Sequence, residues 1–150
     1  MKLSPEEQEQ VKLFGPSKFS ADGFLGNDTR LPHEIITEDE ETVVTLETTC
    51  EKIADFLESS FNKAEAAFGD TIEIKPGVSA TYFEARGKIP SPYRGDGVFQ
   101  KGETIVTDSA SGNTIVLTRL GINLIRKHHF FQGHGSRYRI DPKRALAYCG

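Results

Sequence analysis

An α+β fold is predicted by three features of this 150-residue chain. Apolar residues recur at three- and four-residue steps from Cys50 to Phe68, the mark of an amphipathic helix. From residue 71 to 118, short β-branched and aromatic runs are separated by Gly, Pro, Asn and Ser turns, the mark of strands. None of the connections there is long enough for a crossover helix, so the sheet is antiparallel. This length suits one globular domain spanning residues 1–150. Such a domain buries roughly 68–70% of its unfolded surface and stands without disulfides or a structural metal.

Charge is segregated along the chain. Residues 1–70 carry 6 basic and 16 acidic side chains, residues 71–118 carry 5 of each, and residues 119–150 carry 7 basic and 1 acidic. The expected architecture is therefore an acidic helical N-terminal half and an antiparallel sheet of about four short strands over residues 71–118. Basic C-terminal helices joined by a Gly-rich turn complete it. A basic end on a chain of net charge −4 needs an anionic partner, either its own acidic half or something outside it.

The elements follow in order. Ser4 caps a first helix, Pro5 fits its first turn and Glu7 completes a capping box. Val11 and Phe14 give that helix an apolar stripe, and Gly15-Pro16 ends it. Residues 15–33 are rich in Gly, Asp, Asn, Ser and Pro and read as a loop pinned by Phe19, Phe24 and Leu25. Thr37 reads as the next N-cap, with Glu38 to Glu41 in the first turn, where the helix dipole favours negative charge. A further cap at Thr48 or Thr49 leads into Cys50, Ile53, Leu57, Phe61, Ala64 and Phe68 on one face, stopped by Gly69. Residues 38–68 allow one helix or two with a kink at 45–49.

Strands are expected at Thr71–Ile74, Val78–Arg86, Gly102–Asp108 and Asn113–Thr118. The last two form a hairpin through Ser109–Gly112, and a Pro/Gly loop runs from Pro90 to Gly97. Arg86 to Gly97 is the best place for a mobile loop. Thr118 caps a helix from Arg119 to about His129, with Leu120, Leu124, Ile125 and His128 on one face. Gly121 weakens that helix by about 1 kcal/mol relative to alanine. Asp141-Pro142 opens a last helix, with Ala145, Leu146 and Tyr148 as its apolar contacts.

Several function classes are disfavoured at once. Met1 to Glu7 holds no apolar secretory core, and no run approaches the roughly 20 apolar residues of a membrane helix. Cys50 and Cys149 lack metal-type spacing, so a cytoplasmic protein with reduced thiols is expected. Asn27-Asp28-Thr29 and Arg94-Gly95-Asp96 then read as turn chemistry rather than as a glycosylation or adhesion signal. A covalent mechanism has little support, because there is no Gly-x-Ser-x-Gly elbow, Cys50 falls on the apolar stripe and Cys149 is one residue from the end.

The chemistry concentrates in Lys127 to Pro142. Glycines can turn successive backbone N–H groups into a concave anion nest. If Arg137 to Ile140 is extended, Arg137 and Arg139 share a face, and arginine offers a planar fork of donors. Gly133, Gly135, Ser136, Arg137 and Arg139 are thus the candidate ligand set for a small anionic or phosphorylated molecule. The opposing reading is a turn whose arginines pair with the acidic half. Asp141 is placed to cap the last helix, so an anion must bind at the turn itself. The closing Gly-Lys-Ser/Thr of a P-loop is missing, which disfavours nucleotide hydrolysis.

Two other classes stay in play. Arg119, Arg126, Lys127, Arg137, Arg139, Lys143 and Arg144, interleaved with Phe130, Phe131 and Tyr138, suit nucleic acid, although an overall acidic chain repels it. A histidine enzyme would use His129 or His134 as acid or base, with Glu84 or Asp96 as partner. His128 and His129 are adjacent and face opposite sides, and no His or Cys spacing matches a metal pair, so neither a metal nor another cofactor is called for. Another protein or a second copy is a further taker of the unbalanced charge.

Overall fold

The computed structural model describes Pro5 and residues 23–150. Apart from Pro5, the expected helix Ser4–Phe14 lies outside the described residues, as does Phe19. The fold is α+β. Helices α1 (Pro32–Thr45) and α2 (Cys50–Ala66) precede strands β1 (Ile72–Lys75), β2 (Val78–Phe83), β3 (Lys88–Pro90), β4 (Val98–Gln100), β5 (Glu103–Asp108) and β6 (Thr114–Thr118). Helices α3 (Arg119–His128) and α4 (Pro142–Cys149) close the chain. β1, β2, β5 and β6 form one sheet in that order, antiparallel throughout.

Helix α1 starts five residues earlier than Thr37. Pro32 occupies the first turn behind Leu31, whose side chain makes no cap, and the Thr37 hydroxyl instead donates to the His33 carbonyl. Proline's fixed φ suits a first turn without any side-chain cap. Glu38 to Glu41 therefore lie in mid-helix and fan out around it. Two helices, not one, fill this half. The break has Glu47 at φ 58° and Thr49 accepting from the Lys52 N–H as the cap of α2. The α2 stripe runs from Cys50 to Ala64 and is buried, but Phe68 does not continue it. The helix ends at Ala66, and Phe68, at φ 52°, is 93% exposed.

Residues Lys88–Pro90, inside the stretch expected as a mobile loop, and Val98–Gln100, between that loop and the strand expected from Gly102, pair as a separate two-stranded sheet. β2 accordingly stops at Phe83 rather than Arg86. The Pro/Gly segment is thus the tip of a flap between β3 and β4, with Lys101 N–H bonded to the Gly87 carbonyl at its base.

Two apolar clusters hold the layers together. The larger joins α2 to the inner face of the sheet through Leu57, Phe61, Ala80, Val106 and Leu117, and takes in Ile122, Ile125, Phe131, Ile140 and Ala145. The smaller gathers Phe24, Leu25, Ile35, Leu120, Leu124 and Phe130, with Ile89, Tyr93 and Phe99 of the flap packed on it. Helix α3 lies between them. Its expected single face is split, Leu120 and Leu124 toward one cluster and Ile122 and Ile125 toward the other. Thr118 caps α3 and Asp141 caps α4, through the N–H groups of Gly121 and Arg144. The Lys75 ammonium donates to the carbonyls of Ala147 and Gly150, tying β1 to the end of α4. No helix among the described residues is long and apolar enough to cross a membrane.

Candidate functional site

The segment from His129 to Asp141 reverses the chain between α3 and α4, and its backbone needs two non-glycine residues at positive φ. His129 (φ 56°) ends α3, and Gln132 (φ 74°) follows the buried pair Phe130 and Phe131. Such conformations are uncommon outside glycine and concentrate where surrounding structure over-determines them. Gln132 is only 3% exposed. Its carbonyl accepts from Arg139 Nη1 at 2.8 Å, and its Oε1 accepts from the Ser136 hydroxyl at 3.3 Å.

The glycine turn serves as a seat for residues 23–28. Gly133 N–H donates to the Phe24 carbonyl and Asn27 N–H to the His134 carbonyl. A side chain at Gly133 would land on the Leu25 carbonyl, and one at Gly135 on the Asn27 amide. The nest carries an anion of its own. The Asp28 carboxylate accepts from the His134 N–H at 3.2 Å and from the Arg30 guanidinium at 2.7 and 2.9 Å. Above all the Arg30 hydrogen bonds, helped by that N–H, hold Asp28 well below the usual carboxylate range against its burial. Ser136 is buried, and its hydroxyl also accepts from the Tyr138 N–H.

The two arginines do not share a face. Arg139 N–H bonds back to the Ser136 carbonyl, so Ser136–Arg139 is a turn and not a strand. Arg139 points inward to a two-pronged pair with Asp39, Nη1 to Oδ2 at 2.7 Å and Nη2 to Oδ1 at 2.9 Å. Arg137 points the other way. Its Nη1 donates to Glu103 Oε1 at 2.7 Å and to the Tyr138 hydroxyl at 2.8 Å, while its Nε and Nη2 carry no hydrogen bond among the described residues.

The histidines separate likewise. His128 Nε2 meets Asp96 Oδ2 at 2.8 Å, and its ring stacks on Tyr93 at 3.7 Å with an 8° interplanar angle. Ser91 and Asn123 donate to the same Asp96 oxygen. Burial pushes Asp96 up, but the Ser91, His128 and Asn123 hydrogen bonds together hold it below its ordinary value. This closes the flap tip onto α3. His129 lies between Glu40 Oε2 at 2.6 Å and Glu51 Oε1 at 2.9 Å. His134 is exposed on the turn. Among the described residues no three His, Cys, Asp or Glu side chains gather as a metal-ligand set.

Beside this segment lies a cleft of about 160 Å³, where the flap, β5, the start of α3 and the C-terminal turn meet. Phe24, Ile89 and Leu120 line its apolar side, and Gln100, Lys101, Glu103, Thr118, Gln132 and Tyr138 its polar side. The Tyr138 hydroxyl donates to Glu103 Oε1 at 2.5 Å. Burial raises Glu103, but Arg137 and Tyr138 outweigh it and keep the carboxyl below its ordinary value. Burial and then the Glu103 hydrogen bond push Tyr138 upward, so it stays protonated and donating. Gln132 Nε2 and Glu103 Oε2 make no hydrogen bond among the described residues. Glu103, Lys101 and Gln100 carry no motif in the sequence. Of the residues lining the cleft, Gln132 and Tyr138 lie in the segment that reads as a site.

No family model matches the chain, and it has no significant match among curated proteins or solved structures.

Proposed function

We propose that this protein is a binding module for a small anionic molecule, held in the cleft between the flap and the C-terminal turn. The observation that carries this reading is Arg137. Its guanidinium is joined to the cleft wall through Glu103 and Tyr138, is 49% exposed at the side chain, and among the described residues its Nε–H and both Nη2 hydrogens make no hydrogen bond. Arginine's fork receives a carboxylate or phosphate through such a pair of donors. Of the residues the sequence offers as a ligand set, Arg137 is the one this reading keeps at the ligand. Gly133, Gly135, Ser136 and Arg139 support the wall from behind.

A cleft of about 160 Å³ is below the roughly 300–1,000 Å³ that hold drug-sized ligands, so the buried part of the ligand is small. A nucleic-acid surface is less well supported. Arg119, Arg126 and Arg139 are engaged by the chain's own Glu65, Asp55, Glu58 and Asp39.

The test is the melting temperature of wild type and Arg137→Ala in benzoate and in inorganic phosphate. A ligand that binds only the folded state stabilises it by about 2.7 kcal/mol at a hundred times its dissociation constant. A rise in wild type that Arg137→Ala removes, with the fold intact, supports the reading. No rise with either anion, or an equal rise in the variant, ends it.

A further inference from the structure

We infer that the flap is a lid over the cleft, hinged beside the sheet and latched shut where Asp96 meets α3. This rests on the cleft reading above and names how that site opens and closes. Among the described residues, β3 and β4 pair only with each other, so no sheet ladder ties the flap to the body. The chain leaves β2 through residues 84–87, which are exposed and belong to no helix or strand. Gly87 takes φ 95° there, a conformation glycine adopts at no steric cost. The return passes through Lys101, whose N–H meets the Gly87 carbonyl, directly into β5. The two connections thus lie side by side, and a few loop positions of this kind suffice to absorb a hinge motion.

The far end of the flap carries the latch. Asp96 Oδ2 lies 2.8 Å from His128 Nε2 and 3.0 Å from Asn123 Nδ2, both on α3. Ser91, on the flap itself, donates to the same oxygen at 2.9 Å and steers the carboxylate toward the helix. Tyr93 lays its ring flat on His128 beside it. Water can replace such hydrogen bonds when the tip lifts, so their release costs far less than opening a core. The apolar contacts under the flap are slight for the same purpose, since Ile89, Tyr93 and Phe99 are only partly buried on their cluster. Between hinge and latch, Ile89 and Gln100 form one wall of the cleft. Lifting the flap removes that wall from a cleft of about 160 Å³ and gives a ligand its way in. Closing it shuts the bound molecule off from water.

Lid opening falls on the microsecond-to-millisecond scale, which amide relaxation dispersion by NMR reads on the full chain. Residues 86–101, Asn123 and His128 are expected to exchange at one shared rate while β5 and β6 stay quiet. Asp96→Asn keeps the shape and removes the charge, and is expected to raise the open population about tenfold, the effect of one hydrogen bond. His128→Phe keeps a flat ring on Tyr93 but drops the bond to Asp96, and is expected to raise it by less. Flat dispersion in wild type and both variants overturns the lid. Exchange shared equally by the flap and the four-stranded sheet also overturns it, because the flap then opens only with the body. Benzoate and inorganic phosphate separate the lid from the anionic reading. An anion that quenches the flap exchange supports both. Flap exchange that neither anion alters, with no rise in melting temperature, upholds the lid and overturns the anionic reading. A rise in melting temperature with a flap that never exchanges does the reverse.

Discussion

Arg139 and Asp39 are 100 residues apart in sequence and form the most enclosed ion pair among the described residues, with side chains 12% and 6% exposed. The pair joins the basic C-terminal turn to the middle of acidic helix α1, and the same guanidinium holds the Gln132 carbonyl. Removing one member of a buried pair strands the other charge and costs about 3–5 kcal/mol. Asp39→Ala is expected to destabilise by that amount in urea unfolding, and Asp39→Ala with Arg139→Met by clearly less than the two single changes together. Additive effects would mean that the pair does not act as one unit.

Gly133 argues a second case. Its N–H meets the Phe24 carbonyl, and the position a Cβ would take is already filled by the Leu25 backbone. Backbone cannot swing aside as a side chain can, so Gly133→Ala must lift residues 23–28 from the turn. Overpacking of this kind costs about 1–3 kcal/mol. Unfolding by urea gives the cost, and faster cleavage by protease near Asn27 shows where the strain is released. Gly69→Ala meets no atom within 4 Å, so any cost there comes from its φ of 92° alone.

Elements with local signals were legible in the sequence. The α2 stripe, the caps at Thr49, Thr118 and Asp141, and the four antiparallel strands all depend on spacing and turn chemistry within a few residues. The start of α1 was less so, because Pro32 needs no capping side chain while Thr37 looks like one. The flap escaped because β3 and β4 are three residues each, too short for a period, and exist by pairing with one another. The site was half legible. Gly, Ser and Arg in one segment announce a nest, but whether a nest is vacant depends on what folds onto it. Asp28 and Asp39 lie over a hundred residues upstream of that segment's far end. Glu103 and Lys101 become site residues only because β5 runs past Tyr138. The pairing of the basic tail with the acidic half is a long-range fact that charge counts raise without locating.

Stability should depend on pH through His129. Its two ring nitrogens both face carboxylate oxygens, Glu40 of α1 and Glu51 of α2, and these only accept. Both contacts are hydrogen bonds only when both ring nitrogens carry a proton, so the geometry favours the imidazolium. The Glu40 hydrogen bond, then that of Glu51, raises its pKa above the ordinary 6.5 despite partial burial. The His129 hydrogen bond in turn holds Glu51 below 4.5. A raised histidine stabilises fully below about pH 6.5 and loses that contribution as pH climbs through the folded value. A lowered carboxyl stabilises above about pH 4.5 and loses its contribution as pH falls. The bridge is thus strongest between about pH 4.5 and 6.5. His129→Asn tolerates the φ of 56° and removes the charge. Its melting temperature should fall furthest below wild type near pH 6 and approach it as pH climbs through the raised folded value, where the imidazolium is lost. A pH-independent gap between the two would assign His129 a packing role only.

Among the described residues, the inner face of the sheet holds one buried side-chain group with no hydrogen-bond partner. Thr104 Oγ1 is fully buried between Tyr82 and Leu117 on the neighbouring strands, and no described residue hydrogen-bonds to it. An unsatisfied buried hydroxyl costs about 1–3 kcal/mol. Valine has nearly the same shape, keeps the β-branch that suits a strand, and carries no polar atom. Thr104→Val is expected to raise stability by about 1 kcal/mol in urea unfolding, with the slope against urea unchanged. A loss of stability would mean that the hydroxyl has a partner, and a buried water bridging it to the inner face would then be the group to look for.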